Sequence, residues 1–127
     1  SRILVVAVGA TAQLCMSAAE RAAQSGASIM VVDPRWIAPL PPELIDLARN
    51  SAAVLTVEDN TRTGGVGSRL SQLLRDSNVD VPVRDCGLPH GFLEHGKRSD
   101  VQQAAGLSVA AVSHQLGELW DVVTSDQ

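Results

Sequence analysis

Apolar positions follow two rhythms along this chain. Ile3-Leu4-Val5-Val6-Ala7-Val8 is an unbroken, largely β-branched run, the pattern of a strand covered on both faces in a mainly parallel sheet. Gly9 breaks it. Over 11–24 the rhythm changes to alanine-rich helical spacing, with Leu14, Ala18 and Ala22 on one side and Gly26 where a helix ends. Ala18, Ala19, Ala22 and Ala23 predict a helix that lies close on the sheet. Residues 28–32 form a second apolar run, which closes a right-handed, parallel strand–helix–strand unit.

The segment 33–42 carries Pro34, Pro39, Pro41 and Pro42, which prevent a regular ladder, and a short helix is predicted over 42–49 with proline in its first turn. Residues 53–57 give a third strand. A helix over 68–76 follows, with Leu70, Leu73 and Leu74 on one face. A fourth strand is predicted over 79–83, where Pro82 points to a sheet edge. Beyond Gly87, Pro89, Gly91 and Gly96, two helices are predicted near 99–105 and 108–123, separated by Gly106 and N-capped by Ser99 and Ser108. Strands alternating with helices predict a three-layer α/β/α sandwich around a mostly parallel sheet of four or five strands.

Composition narrows the picture. With 127 residues, 45% of them hydrophobic and 19% charged, the chain has room for one domain with a packed core. A formal charge of -4, with Lys97-Arg98 the only adjacent basic pair, argues against nucleic-acid and anionic-lipid partners. The longest apolar stretch, 3–8, is far short of the roughly 20 residues that span a bilayer, so a cytoplasmic location is expected. In that compartment Cys15 and Cys86 are expected as thiols, and no four-ligand zinc pattern joins them to His90 and His95. A chain that opens Ser1-Arg2-Ile3 and enters a strand at once has the look of a piece of something longer.

The stretch VEDNTRTGGVGS, residues 57–68, raises the question of a phosphate site, because glycines after a strand expose N–H groups and a helix N-terminus attracts anions. Its details point elsewhere. A phosphate-binding loop needs lysine after its last glycine, where Ser68-Arg69 stands, and the dinucleotide fingerprint needs a third glycine where Leu70 stands. Glu58 and Asp59 would repel a phosphate. The favoured reading gives Gly64, Gly65 and Gly67 to a tight turn and close helix packing. Glu58 or Asp59, at a carboxyl strand end, could serve as a general base or cation ligand. Adjacent residues on a strand point oppositely, so one of them more naturally caps the turn or meets Arg62.

Other candidates are thinner. His90 and His95 share a loop with Asp85, Cys86 and Glu94, but no orienting residue marks a Cys/His nucleophile, and His114 shows no partner. Trp36, in a proline-rich loop between Arg35 and Ile37, suits an anchor under the loop or in an interface.

Taken together, VVDPRWIAPLPPELIDLA (31–48), TVEDNTRTGGVGS (56–68) and VPVRDCGLPHGFLEHGKRSDV (81–101) resemble the C-terminal domain of transketolase-like, thiamine-diphosphate-dependent enzymes. The acidic strand end followed by TGG-x-GS is shared across that superfamily. DPRW-x-x-PL and GLP-x-x-F-x-x-HG are narrower and resemble the 1-deoxy-D-xylulose-5-phosphate synthases. The resemblance runs to about Trp120. It implies a synthase that condenses pyruvate with glyceraldehyde 3-phosphate, with thiamine diphosphate and magnesium held by two preceding domains. No Gly-Asp-Gly motif occurs here, so no catalytic, cofactor-binding or metal-binding residue carries over.

What the resemblance implies for this chain is therefore architectural: packing on the two preceding domains and support of a homodimer. Trp36, Glu58, Gly64, Gly65, Gly67, Leu88, Pro89, Phe92 and His95 are its candidate structural or interface residues. The alternatives are the corresponding domain of another transketolase or of a 2-oxoacid dehydrogenase β subunit, and a free-standing regulatory module that binds an anion at the glycine loop.

Overall fold

The structure, a computed structural model, describes residues 2–8, 11–33, 42–59, 66–88 and 98–125. Its strands are β1 (Ile3–Ala7), β2 (Ile29–Val32), β3 (Ala53–Asp59) and β4 (Val83–Leu88); its helices are α1 (Ala12–Ala23), α2 (Pro42–Arg49), α3 (Val66–Asp76) and α4 (Arg98–Ser125). The sheet has four strands in the order β2-β1-β3-β4. Every described pairing is parallel.

The apolar runs explain the layering. Successive side chains on a strand point to opposite faces. Ile3, Val5, Ala7, Ala53, Leu55 and Val57 thus join Leu14, Cys15 and Ala18 of α1 and Val112, Leu116 and Leu119 of α4 in one core. Leu4, Val6, Val8 and Val54 meet Leu44 and Ala48 of α2 and Leu70 and Leu74 of α3 in the other. Residues 3–8 are all fully buried because both faces are covered. The result is the expected α/β/α sandwich, its small Ala18 and Ala22 buried where α1 lies on the sheet.

Gly26 closes the turn after α1 with φ 98°, a left-handed conformation glycine adopts without steric cost. Asn78 does the same after α3, at φ 59°. Val79 then donates its N–H to the Leu74 carbonyl at 2.8 Å.

Two expectations fail. The fourth strand is Val83–Leu88 rather than 79–83. Val79 spends its N–H on the α3 terminus and buries its side chain beside α3, and Pro82 has no N–H but accepts from Val54 N at 2.8 Å. Pro82 thus stands before the ladder rather than within it, and the strand is at the sheet edge as the proline suggested. The two C-terminal helices are one, α4, 28 residues long and continuous through Gly106. Glycine in a helix interior costs about 1 kcal/mol but keeps its N–H, so unlike proline it does not interrupt the ladder. Ser99 and Ser108 consequently fall within α4 rather than before two separate helices.

Candidate functional site

In an open parallel sheet, ligands collect outside the carboxyl ends of the strands, where successive connections leave on opposite faces. Here that point lies between β1 and β3, since α1 covers one face and α2 and α3 cover the other. Thr11 forms its floor. The fully buried Thr11 Oγ1 lies 3.0 Å from the Val8 carbonyl and 3.2 Å from that of Val57, so one hydroxyl donor is shared between two strands.

On the α3 side, Thr56 and Asp85 stand opposite each other in the β3–β4 register. Thr56 Oγ1 donates to Asp85 Oδ1 at 2.5 Å. Asp85 is exposed as a residue, yet its carboxylate lies over the first turn of α3: a Cβ added at Gly67 would fall 1.7 Å from Asp85 Oδ1 and 2.4 Å from its carboxyl carbon. Gly67 is required by this close approach. A carboxylate of the chain itself therefore occupies the place where a helix N-terminus attracts an anion.

Glu58 shares the face of Thr56, two residues further toward the carboxyl edge. It is only 8% exposed, and its Oε2 has no hydrogen-bond partner among the described residues. Gly67 is the one glycine of the loop whose surroundings are described. Trp36, Gly64, Gly65, Pro89, Phe92 and His95 lie outside the described residues, as do Arg62, His90 and Glu94. Leu88 is described as the last residue of β4, paired with Asp59.

The thiols belong to packing. Cys15 and Cys86 are free, buried, and members of the same core cluster. Burial pushes the Cys15 thiol up to about 11; a hydrogen bond with Thr11 opposes the rise and Cys86 adds to it. Burial likewise raises the Cys86 thiol, against a Gln115 Nε2 donor at 3.4 Å from its sulfur. Neither environment favours a thiolate nucleophile. Asp85 and Cys86, adjacent on β4, face opposite layers, which separates the acid from the thiol. His114 does have a partner, contrary to expectation: its Nε2 is 2.8 Å from Glu118 Oε1, one turn on along α4 and exposed.

Among the described residues no three His, Cys, Asp or Glu side chains converge to hold a metal ion. With the first turn of α3 covered by Asp85, these residues do not fit a magnesium–diphosphate site. Thr11, Thr56 and Asp85 are the polar residues that sequence reasoning passed over as a set. With β4 placed four residues early, the Thr56–Asp85 pairing could not be seen.

The family profile for transketolase, C-terminal domain, matches residues 1–112. The chain belongs to this transketolase C-terminal domain family. Among curated relatives, 1-deoxy-D-xylulose-5-phosphate synthase of Frankia casuarinae is 53% identical over 116 residues, 91% of this chain and 18% of that protein. The synthase of Parafrankia sp. is 56% identical over 106 residues, 84% of this chain and 16% of its own length. 1-Deoxy-D-xylulose-5-phosphate synthase 2 of Kitasatospora griseola is 47% identical over 117 residues, 92% of this chain and 18% of that protein. This transketolase C-terminal domain thus spans under a fifth of the curated relatives it matches. Among solved structures, a split-gene transketolase described as an inactive β4 tetramer superposes with a TM-score of 0.66 at 25% identity, covering 94% of this chain and 39% of that one.

Proposed function

We propose that this chain serves as the C-terminal assembly domain of a 1-deoxy-D-xylulose-5-phosphate synthase, a cytoplasmic homodimer. The parent enzyme condenses pyruvate with glyceraldehyde 3-phosphate and releases carbon dioxide, feeding isoprenoid, thiamine and pyridoxal synthesis. Thiamine diphosphate, held with magnesium outside this domain, supplies the carbanion chemistry. The observation that carries this reading is the 53% identity to such a synthase along 91% of the chain.

Two features support an architectural role. The carboxyl edge is furnished with Asp85, Thr56 and Gly67 in mutual contact, which suits a packed strand-to-helix turn better than an anion cradle. The solved relative described as an inactive β4 tetramer is an assembly whose chain includes a counterpart of this domain. Trp36 and the segment 88–95, with Leu88, Pro89, Phe92 and His95, are the contacts we assign to the rest of the enzyme.

The decisive experiment removes this whole domain from the full synthase and measures mass by light scattering and product formation from pyruvate and glyceraldehyde 3-phosphate. We expect loss of dimer and at least a tenfold loss of activity, while the isolated chain binds no thiamine diphosphate in calorimetry. A truncated enzyme that stays dimeric and fully active would overturn the proposal.

A further inference from the structure

At the amino ends of the strands, opposite Glu58, the last turn of α1 and the C-terminal half of α4 flank an open cleft of about 330 Å³. That volume is at the lower end of the roughly 300–1,000 Å³ of small-molecule sites. Its lining combines Arg21 and Ser25 beside α1 with Ser113, Gly117, Trp120 and Asp121 of α4. Arg21 and Asp121, both exposed, line the same cleft with opposite charges, and no ion pair joins them among the described residues. Trp120 is half-buried and packs on the α1–α4 core, so its indole gives the cleft a fixed aromatic wall.

Gly117 points the same way independently. It sits inside a helix, where glycine is a poor choice, and it has no positive φ that would require glycine. A Cβ there would meet nothing within 4 Å. Backbone conformation and close packing, the two usual reasons for a glycine, are both missing. What the missing side chain does is leave the cleft open.

We propose that this cleft binds a small zwitterion of amino-acid type. Its carboxylate engages the Arg21 guanidinium, its ammonium meets the Asp121 carboxylate, and its apolar side chain lies against Trp120. The ligand completes the charge pairing that the two helices leave open. Nothing in this inference depends on the parent enzyme or its reaction.

Free L-phenylalanine is the probe, titrated into the 127-residue chain while the Trp120 indole N–H signal is followed by NMR, assigned with Trp120→Phe. A saturable shift is expected. Phenylalaninamide and N-acetylphenylalanine, each lacking one charge, should bind at least tenfold more weakly, and Arg21→Gln should weaken phenylalanine by a similar factor. Gly117→Leu should abolish the shift without lowering the thermal midpoint. If it does lower the midpoint, Asp121→Asn decides: it must erase the advantage of phenylalanine over its N-acetyl derivative. No saturable shift, equal binding of the single-charge derivatives, or an advantage that survives Asp121→Asn would each overturn the proposal. So would loss of the shift when the chain is joined to the rest of a synthase, which would assign the cleft to a domain contact.

Discussion

Gly67 and Gly117 lie at opposite ends of the molecule, and in both the missing side chain decides what happens around them. At the carboxyl edge, the space of a Gly67 Cβ is taken by the Asp85 carboxylate, itself held by Thr56. At the amino edge, the space of a Gly117 Cβ is empty. Among the described residues, the first turn of α3, at the end where α/β sheets usually place ligands, has been covered from within, and the α1–α4 cleft at the other end has been left open. A glycine is thus informative only through what occupies its absent Cβ.

The burial of Cys15 has the largest testable consequence. Cys15 lies one turn beyond Thr11 on α1, and its thiol is held near 11 against an ordinary value of 9.0. The folded state therefore keeps its proton in a pH range where the unfolded state loses it. Stability is fully present below about 9 and declines as pH rises toward 11, by about 2–3 kcal/mol at about 1.4 kcal/mol per unit. The chain has no tyrosine and a single lysine, Lys97, so little else titrates in that window, and Cys86 acts in the same direction. Urea unfolding at pH 8 and at pH 10.5 should show the loss, and Cys15→Ala should reduce it. Identical slopes in the two proteins would mean that the thiol is hydrated.

Thr11→Val tests the floor of the same region. The substitution keeps shape but removes the hydroxyl that, among the described residues, bonds both the Val8 and the Val57 carbonyl. Val57 O still accepts from Val8 N at 2.9 Å, so the cost is chiefly that of one buried carbonyl, about 2 kcal/mol. A change under 0.5 kcal/mol by chemical denaturation would show that water replaces the hydroxyl.

Gly67→Ala should cost about 1–2 kcal/mol, because its methyl displaces Asp85 from Thr56; Asp85 is exposed and can swing away, which limits the penalty. Combined with Asp85→Ala, most of that cost should disappear, since the clash and the lost bond share one cause. Strict additivity in the double-mutant cycle would break the link between the two residues.

The central layer was legible because its signal is local. The run 3–8 is buried on both faces, and Ala18 and Ala22 of α1 and Leu70 and Leu74 of α3 fall where their spacing places them, whereas Ala23 is exposed and Ala19 and Leu73 are only partly buried. Boundaries set by nonlocal bonds were not legible. Val79 has the composition of a strand residue, but its N–H goes to Leu74, a contact that depends on the left-handed turn at Asn78. Gly106 looked like a break because glycine is a poor helix former, yet poor propensity is not a missing donor. The candidate site followed suit: the glycines after β3 were visible as a turn, but the reason for Gly67 lies in Asp85, eighteen residues on and in a strand whose register was misplaced.

The smallest effect is the sharpest test of the comparison, because it asks for the opposite sign from the same substitution. Gly117→Ala adds a methyl that meets nothing within 4 Å and removes the conformational freedom of a glycine in a helix interior. It should stabilise the chain by about 0.5–1 kcal/mol. Gly67→Ala destabilises, for the steric reason given above. Thermal and urea denaturation of the two variants side by side, with far-UV circular dichroism to confirm unchanged helix content, reads the pair directly. If both alanines destabilise, the α1–α4 cleft is closed in solution and Gly117 is a packing glycine like Gly67. If both stabilise, Asp85 does not cover the first turn of α3, and the carboxyl edge is as open as the amino edge.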